Sequence, residues 1–477
     1  MRWSISLVVL SGAFFLLIFR LGEGSLYAWD EAIYAQAAKE MFRAMVWGDI
    51  TWSGYPFFHK PPLYFWLTAL TYHVVGINEF GTRLWAALFG FGCLALTLTL
   101  GVRLHSWIVG VGAVLLLLGV DHSYYSQWWN FLSLSRVGML DTALTFWLMV
   151  ALLCAWEAER RPQLLPLMGL PVGLAVLTKA WPGLLPIVIA LSYRLLTNAG
   201  LIRRDLSAWG VAVVLAAVVA LPWHIWQYSV HGQLFLQEYV GFNLIERVFR
   251  PLEEHHGSPW FYLSVVRQGF SAWGYLLPLA YGWGVWRAWR KRDRGVVLLL
   301  TWVAIPLVLF TAAQTKLGWY INMVYPALAL LAMILLVDSL GKYLALGVVV
   351  AGMALCCWRL PAPADGSPEV KAFARETTQV LAAGEAVYVI RPTCAVTNPS
   401  LTAGQLFVTD TNIPASLVFY LDRPLICLEE GRASGGTRLH GAYAVADGES
   451  WRRLGHLGQV AVWGVQDGYG YVLIRLK

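Results

Sequence analysis

Apolar runs of about twenty residues, separated by polar or basic breaks of which two are long, make up most of the chain as far as residue 360. A helix needs about 20 apolar residues to cross a ~30 Å hydrocarbon core. On that measure the runs at 4–20, 62–77, 81–103, 106–121, 138–156, 164–178, 181–197, 207–228, 271–290, 295–313, 318–337 and 341–359 each predict a membrane span. The stretch from His122 to Ser135 is short and Trp-rich, and reads either as a thirteenth, strained crossing or as a helix lying in the interface. From about Pro361 the pattern changes to Pro, Gly and acidic residues with strand-like runs at Ala386–Ile390, Gln459–Gly464 and Tyr471–Leu476. Val370–Ala382 and Pro414–Tyr420 read as helices, which favours a small α/β domain over a β-sandwich.

Composition agrees with a membrane protein. With 58% hydrophobic and 13% charged residues over 477 positions, the apolar surface is too large for one soluble core. The net charge of +7 does not point to nucleic acid, because the basic residues concentrate in short loops: Arg160 and Arg161, Arg203 and Arg204, and the run Arg287, Arg290, Lys291, Arg292, Arg294. The positive-inside rule makes these loops cytoplasmic. With thirteen crossings every basic loop agrees, and the C-terminal domain falls outside. The expected architecture is a polytopic α-helical membrane protein of about 13 transmembrane helices. Residues 1–360 form the membrane domain, with extracytoplasmic loops 21–61 and 229–270, and residues 361–477 form an extracytoplasmic α/β domain. The first span has no A-x-A cleavage site and is expected to be retained. Cys394 and Cys427 would lie in the oxidising compartment, and a disulfide between them is open. Cys93, Cys154, Cys356 and Cys357 sit in apolar spans and behave as small hydrophobes.

Candidate chemistry gathers on the outer side. Trp29-Asp30-Glu31 opens a helical pattern, and His59-Lys60-Pro61-Pro62 follows just where the next span begins. Alone, the two acids need only complement a helix dipole. The second loop carries Asn243, Glu246, Arg247, Arg250, Glu253, Glu254, His255 and His256, which by composition is a solvated charged loop. Two adjacent histidines without a third spaced ligand make a weak metal signal. Asp141, Lys179 and Lys316 stand near the predicted outer ends of spans, where ionisable groups are costly unless paired or solvated. Each could be an interfacial anchor, yet all fall on the same predicted face as Asp30, Lys60 and Arg247.

In sequence order, W-D-E-A-x-Y-A at Trp29–Ala35, K-P-P-L at Lys60–Leu63, R-x-x-x-L-D at Arg136–Asp141, L-T-K at Leu177–Lys179, E-R with H-H-G-x-P-W at Glu246–Trp260, and K-L-x-x-Y with Y-P-A-L-A-L-L at Lys316–Leu331 resemble the polyprenyl-phosphate-dependent glycosyltransferases of the GT-C class. The branch is that of the lipid A aminoarabinose transferase and the protein O-mannosyltransferases, and the resemblance covers roughly residues 20–340. It implies an enzyme that moves a sugar from undecaprenyl phosphate to lipid A or another envelope glycan. The partners it implies are a polyprenyl-phosphate-linked donor, a lipid, glycan or protein acceptor, and the bacterial inner membrane, with the active site facing the periplasm. It also implies Asp30 as the catalytic carboxylate, with Glu31 beside it and Asp141 as a second acid. Lys60 and Arg247 would hold the carrier phosphate, with Lys179 nearby, and His59, His256, Tyr320 and Lys316 would line the site. The aminoarabinose transferase has an acid just before its K-P pair where this chain has His59, which leaves a divalent metal as an open question. The rival readings are a protein O-mannosyltransferase-like enzyme and, less well matched, a secondary transporter, which would need midplane charges and symmetry-related broken helices.

Overall fold

The structure, a computed structural model, describes residues 2–119, 130–252, 255–356, 361, 364–382, 385, 387–391, 415–422, 425–429, 443–447, 458–466 and 469–476. The chain divides into two compact units. One comprises Met1–Leu21, His59–Tyr64 and Arg83–Ala362; the other comprises Gly22–Phe58, Phe65–Thr82 and Pro363–Lys477.

Nearly all of the first unit is helix. Among the described residues, five helical stretches are long and apolar enough to cross a membrane: Glu79–Leu104, Leu140–Glu157, Leu206–His231, Arg294–Ala312 and Gly318–Leu340. Shorter apolar helices occupy Arg2–Ile18, Leu63–Val75, Trp107–Leu118, Leu164–Lys179 and Lys342–Ala354. These helices fall on the apolar runs of the sequence, and the chain is a multi-pass helical membrane protein. Residues 120–129, most of the Trp-rich stretch read as a thirteenth crossing, lie outside the described residues.

Burial ranks the helices. Over an 18-residue window of Gly318–Leu340, 83% of the residues are buried, against 28% over a window of Leu206–His231, which presents valines, leucines and an isoleucine outward. That exposed apolar face suits lipid as solvent. Small residues bring Leu206–His231 close to Gly169–Lys179, because a Cβ on Gly173 would stand 2.6 Å from the Cβ of Val219. Arg136, 4% exposed, donates to the carbonyls of Leu16, Leu17 and Phe19, satisfying the C-terminal end of the first helix. At the basic loops, Arg294 and Tyr193 both donate to Glu159 Oε1, Arg194 donates to Asp205, and Arg287 pairs with Asp293.

The second unit joins the first long loop to the C-terminal segment. The loop contributes the helix Asp30–Ala44 and a two-stranded hairpin, β1 (Thr51–Trp52) with β2 (Tyr55–Pro56). Glu40 organises the hairpin by accepting from Thr51 Oγ1, Ser53 N and Gly54 N. The C-terminal segment contributes the helices Pro368–Val380 and Ala415–Leu421 and strands β3 (Val387–Arg391), β4 (Leu425–Glu429), β5 (Tyr443–Asp447), β6 (Gly458–Gln466) and β7 (Tyr469–Leu476). They form a mixed sheet in the order β4-β3-β5-β7-β6, parallel at β4-β3-β5 and antiparallel beyond. Val472, Leu473 and Ile474 are consecutive and all fully buried, so both faces of β7 are covered. Cys394, and with it the disulfide question, lies outside the described residues.

Candidate active site

Two helix ends start the site. Asp141 stands in the first turn of Leu140–Glu157 and Lys179 in the last turn of Gly169–Lys179, each where the helix dipole favours its charge. After Lys179 the backbone reverses through Ala180, at φ +55°, into the single 3₁₀ turn Trp181–Leu184. Gly183 lets that turn close, since a Cβ there would stand 2.3 Å from Val176 N. The result is an ion pair: Lys179 Nζ donates to Asp141 Oδ1 at 2.5 Å, with the side chains 10% and 4% exposed. Each charge offsets the cost of burying the other.

From the second long loop comes a π-helix, Leu236–Glu246, that runs into Arg247–Phe249. Such wide turns recur at functional sites. Tyr239, Asn243 and Arg247, four residues apart, line one cavity. Asn243 donates through Nδ2 to Glu238 O, and its buried Oδ1 accepts no hydrogen bond among the described residues. Tyr239 Oη meets His224 Nε2 at 2.8 Å. Thr315 N–H donates to Arg247 O and Gln314 N–H to Val248 O, pinning this turn to the segment that leads into Tyr320. Tyr320 then serves both cations, with its ring 4.7 Å from Lys179 Nζ and its hydroxyl 3.5 Å from Arg247 Nη1.

The walls of this cavity include His59, Lys60, Lys179, Asn243, Arg247 and Tyr320 among apolar side chains. Burial, then the neighbouring Lys60 and Arg247, push the His59 imidazole well below its usual pKa, so it is neutral. Among the described residues, the three cations of the wall and Asp141, which pairs with one of them, sum to +2. An apolar pocket with a few convergent polar groups and an excess of positive charge suits an anionic headgroup on an apolar tail.

The structure therefore brings His59, Lys60, Asp141, Lys179, Arg247 and Tyr320 together. Lys316 is occupied elsewhere: Nζ donates to Thr311 O and Ala313 O at the end of the preceding helix, and burial lowers its pKa. His256 is exposed and does not line the cavity. Asp30 and Glu31 belong to the second unit, in the first turn of Asp30–Ala44. Asp30 is half-buried, whereas Glu31 is 1% exposed and accepts Tyr27 N–H at 2.8 Å. Sequence reasoning passed over Tyr239 and picked out Asn243 only as a loop residue; their four-residue spacing to Arg247 was the available signal. Among the described residues no three His, Cys, Asp or Glu side chains come together, and Glu253 and Glu254 lie outside them. Among the described residues the cavity's donor set, three cations and one paired carboxylate, does not suit a divalent metal.

Residues 13–236 match the family model described as dolichyl-phosphate-mannose-protein mannosyltransferase. The chain is 31% identical over 359 residues to the undecaprenyl phosphate-alpha-4-amino-4-deoxy-L-arabinose arabinosyl transferase 1 of Pseudomonas fluorescens, spanning 71% of this chain and 61% of that protein. To the corresponding transferase of Pseudomonas aeruginosa it is 32% identical over 379 residues, spanning 74% of this chain and 64% of that protein. The chain thus matches less than two thirds of the length of these two relatives. Among solved structures, ArnT from Cupriavidus metallidurans bound to undecaprenyl phosphate superposes with a TM-score of 0.77 at 19% identity, covering 98% of this chain and 97% of that one. The oligosaccharyltransferase of Archaeoglobus fulgidus superposes with a TM-score of 0.58 at 15% identity, covering 82% and 62%. At those identities the likeness is one of fold.

Proposed function

We propose that this chain is a polyprenyl-phosphate-dependent glycosyltransferase of the GT-C class, like the aminoarabinose and protein mannosyl transferases it resembles, and that it moves a sugar from undecaprenyl phosphate to an envelope acceptor, lipid A or another glycan. The observation that carries this reading is the cavity of net charge +2 lined by Lys60, Lys179, Arg247 and Tyr320. The leaving group of such a transfer is a polyprenyl phosphate. Its charge grows as the bond from the anomeric carbon to the phosphate oxygen breaks, and cations placed at that oxygen lower the barrier.

Each residue then has a task. Lys60 and Arg247 hold the phosphate, Lys179 adds charge beside them, and Tyr320 fixes the spacing of Lys179 and Arg247. His59, neutral, contributes a hydrogen-bonding wall without adding charge. Asp141 is the second acid of this cavity and keeps Lys179 in place. The acceptor oxygen attacks the anomeric carbon from the face opposite the phosphate, so configuration inverts, and Asp30 takes the acceptor hydroxyl's proton. If the acceptor is itself a phosphate, no proton needs removal and Asp30 orients the sugar. The assignment of Asp30 rests on its W-D-E-A-x-Y-A motif. Glu31, buried on Tyr27 N–H, supports the turn that presents it. The topology that goes with this reading has thirteen crossings in the inner membrane. Residues 1–360 hold the periplasmic loops 21–61 and 229–270, residues 361–477 lie in the periplasm, and the ion-paired basic loops face the cytoplasm.

The test is mass spectrometry of envelope lipids, glycans and proteins from cells with and without the gene, complemented by wild type or Asp30→Asn. A sugar-mass difference in lipid A or a glycan, restored only by wild type, is the expected result. A difference confined to proteins would move the acceptor to the O-mannosyltransferase-like reading. No difference in any fraction would overturn the assignment.

A further inference from the structure

In the second unit, the segment immediately before the acid pair is held by residues from beyond Pro363. Ser25 donates through both N–H and Oγ to Asp365 Oδ1, at 2.8 and 2.5 Å, and Ser367 N–H donates back to Ser25 Oγ at 2.7 Å. Lys371 Nζ donates to Gly24 O at 2.9 Å, Leu26 N–H to Tyr420 Oη at 2.7 Å, and Ser416 N–H to Ala28 O at 3.2 Å. The Tyr420 hydroxyl in turn donates to Glu79 Oε1 at 3.0 Å.

A second set of contacts grips the helix Asp30–Ala44 downstream of the acids. Asp422, at φ +55° just past the helix Ala415–Leu421, accepts from Arg43 through both oxygens, at 2.5 and 2.7 Å, and pairs with Lys39 Nζ at 3.0 Å. Lys39 is 2% exposed and also donates to Phe419 O at 2.7 Å. A cation so deeply buried is tolerable only with such partners, and a left-handed Asp persists only where its surroundings hold it. Trp29, the N-cap of this helix, supplies no side-chain cap. The direction of the helix start is therefore set by contacts made with the C-terminal segment and by Glu31 on Tyr27 N–H.

We infer that the C-terminal segment is a positioning element for Asp30, and that Asp365, Tyr420 and Asp422 are positioning residues for its carboxylate. This rests on the reading of Asp30 as the catalytic acid. Packing that served stability alone could be met by apolar contact. Here directional hydrogen bonds instead reach backbone groups of Gly24, Ser25, Leu26 and Ala28, which lead directly into the acid pair. A displacement of about 1 Å at a reacting group can cost about a hundredfold in rate.

The experiment uses the full chain in detergent with an undecaprenyl-phosphate-linked sugar as donor. Wild type is compared with Tyr420→Phe, Asp422→Asn, Asp365→Asn and the conservative Asp422→Glu. For each, kcat and donor KM are measured per folded molecule, with undecaprenyl phosphate affinity and amide hydrogen exchange over residues 22–33. In Tyr420→Phe and Asp422→Asn, kcat falls by about tenfold or more. Donor KM and carrier affinity stay within about twofold, as expected of a group outside the phosphate pocket. The Leu26 amide, deprived of its acceptor, exchanges faster in Tyr420→Phe, and Asp422→Glu recovers part of kcat. Unchanged kcat in Tyr420→Phe with faster exchange at Leu26 would overturn the inference, as would loss of kcat and carrier affinity together. Tyr420→Phe removes one oxygen and decides the matter even if Asp422→Asn fails to fold. Asp30→Asn is measured alongside: if it keeps turnover, the catalytic reading fails, and exchange over residues 22–33 still reports whether the C-terminal contacts hold the segment.

Discussion

The ion pair between Asp141 and Lys179 yields the sharpest prediction, because its two readings part company on phosphate affinity. Asp141→Asn removes the carboxylate 2.5 Å from a Lys179 side chain that is 10% exposed. Leaving a buried cation unpaired costs about 3–5 kcal/mol of stability in the empty protein. It also raises the charge around the cavity from +2 to +3. At about 7 Å, with an effective dielectric near 20, one further unit charge attracts a singly charged anion by about 2 kcal/mol, roughly thirtyfold in affinity. Titration calorimetry of the solubilised protein with undecaprenyl phosphate reads this directly. Lys179→Met, at net +1, binds more weakly than wild type by a similar factor. The double variant Asp141→Asn/Lys179→Met restores +2 and returns affinity to within a few-fold of wild type. If Asp141→Asn lost turnover while phosphate affinity stayed at the wild-type value, the carboxylate would be acting on the reaction and the counter-ion argument would be refuted.

Other expectations follow from the same geometry. Asp30→Asn abolishes turnover with carrier affinity within about twofold, while Lys60→Ala weakens carrier binding by about 1.5–3 kcal/mol, the scale of a hydrogen bond to a charged group; equal loss of binding in both would remove the division of roles. Tyr320→Phe, which keeps the ring under Lys179 and drops only the 3.5 Å contact to Arg247, lowers carrier affinity less than Tyr320→Leu, which drops both; titration of the two variants gives the order. His59 has a folded-state pKa below its unfolded value of about 6.5, so the unfolded chain binds the extra proton and stability falls as pH drops below about 6.5. His59→Gln flattens that acid limb in thermal melts at pH 5 to 7, and an unchanged slope would contradict it. Gly183→Ala, whose Cβ would meet Val176 N at 2.3 Å, disrupts the turn after Lys179 and lowers both melting temperature and carrier affinity; Ala180→Gly, relieving φ +55°, leaves melting unchanged or raises it.

Apolar periodicity made the helices legible before any coordinates, because in lipid every backbone group must be satisfied within its own helix and a run of about twenty apolar residues leaves few alternatives. Asp141 and Lys179 stood out as charges near span ends, where partners are needed, while Lys60 and Arg247 were reached through the motifs of the resemblance. Lys316 was singled out by its place near a span end, and His256 through the motifs of the resemblance. The structure gives Lys316 two backbone carbonyls instead, a local alternative that residue type does not announce.

What residue order alone could establish about this protein was its solvent, its helices and the list of ionisable groups that need company. Only the tertiary structure decided which of those groups meet. The Asp141–Lys179 pair joins two helix ends 38 positions apart, and Tyr239, Asn243 and Arg247 line one cavity along the π-helix Leu236–Glu246 and the turn after it. The grip of Asp365, Tyr420 and Asp422 on the acid-bearing segment joins residues more than 330 positions apart, and Asp422 lies 379 positions from Arg43. Contacts of that separation leave no periodic trace in a sequence, because they are set by how finished elements pack rather than by the local preferences that form them.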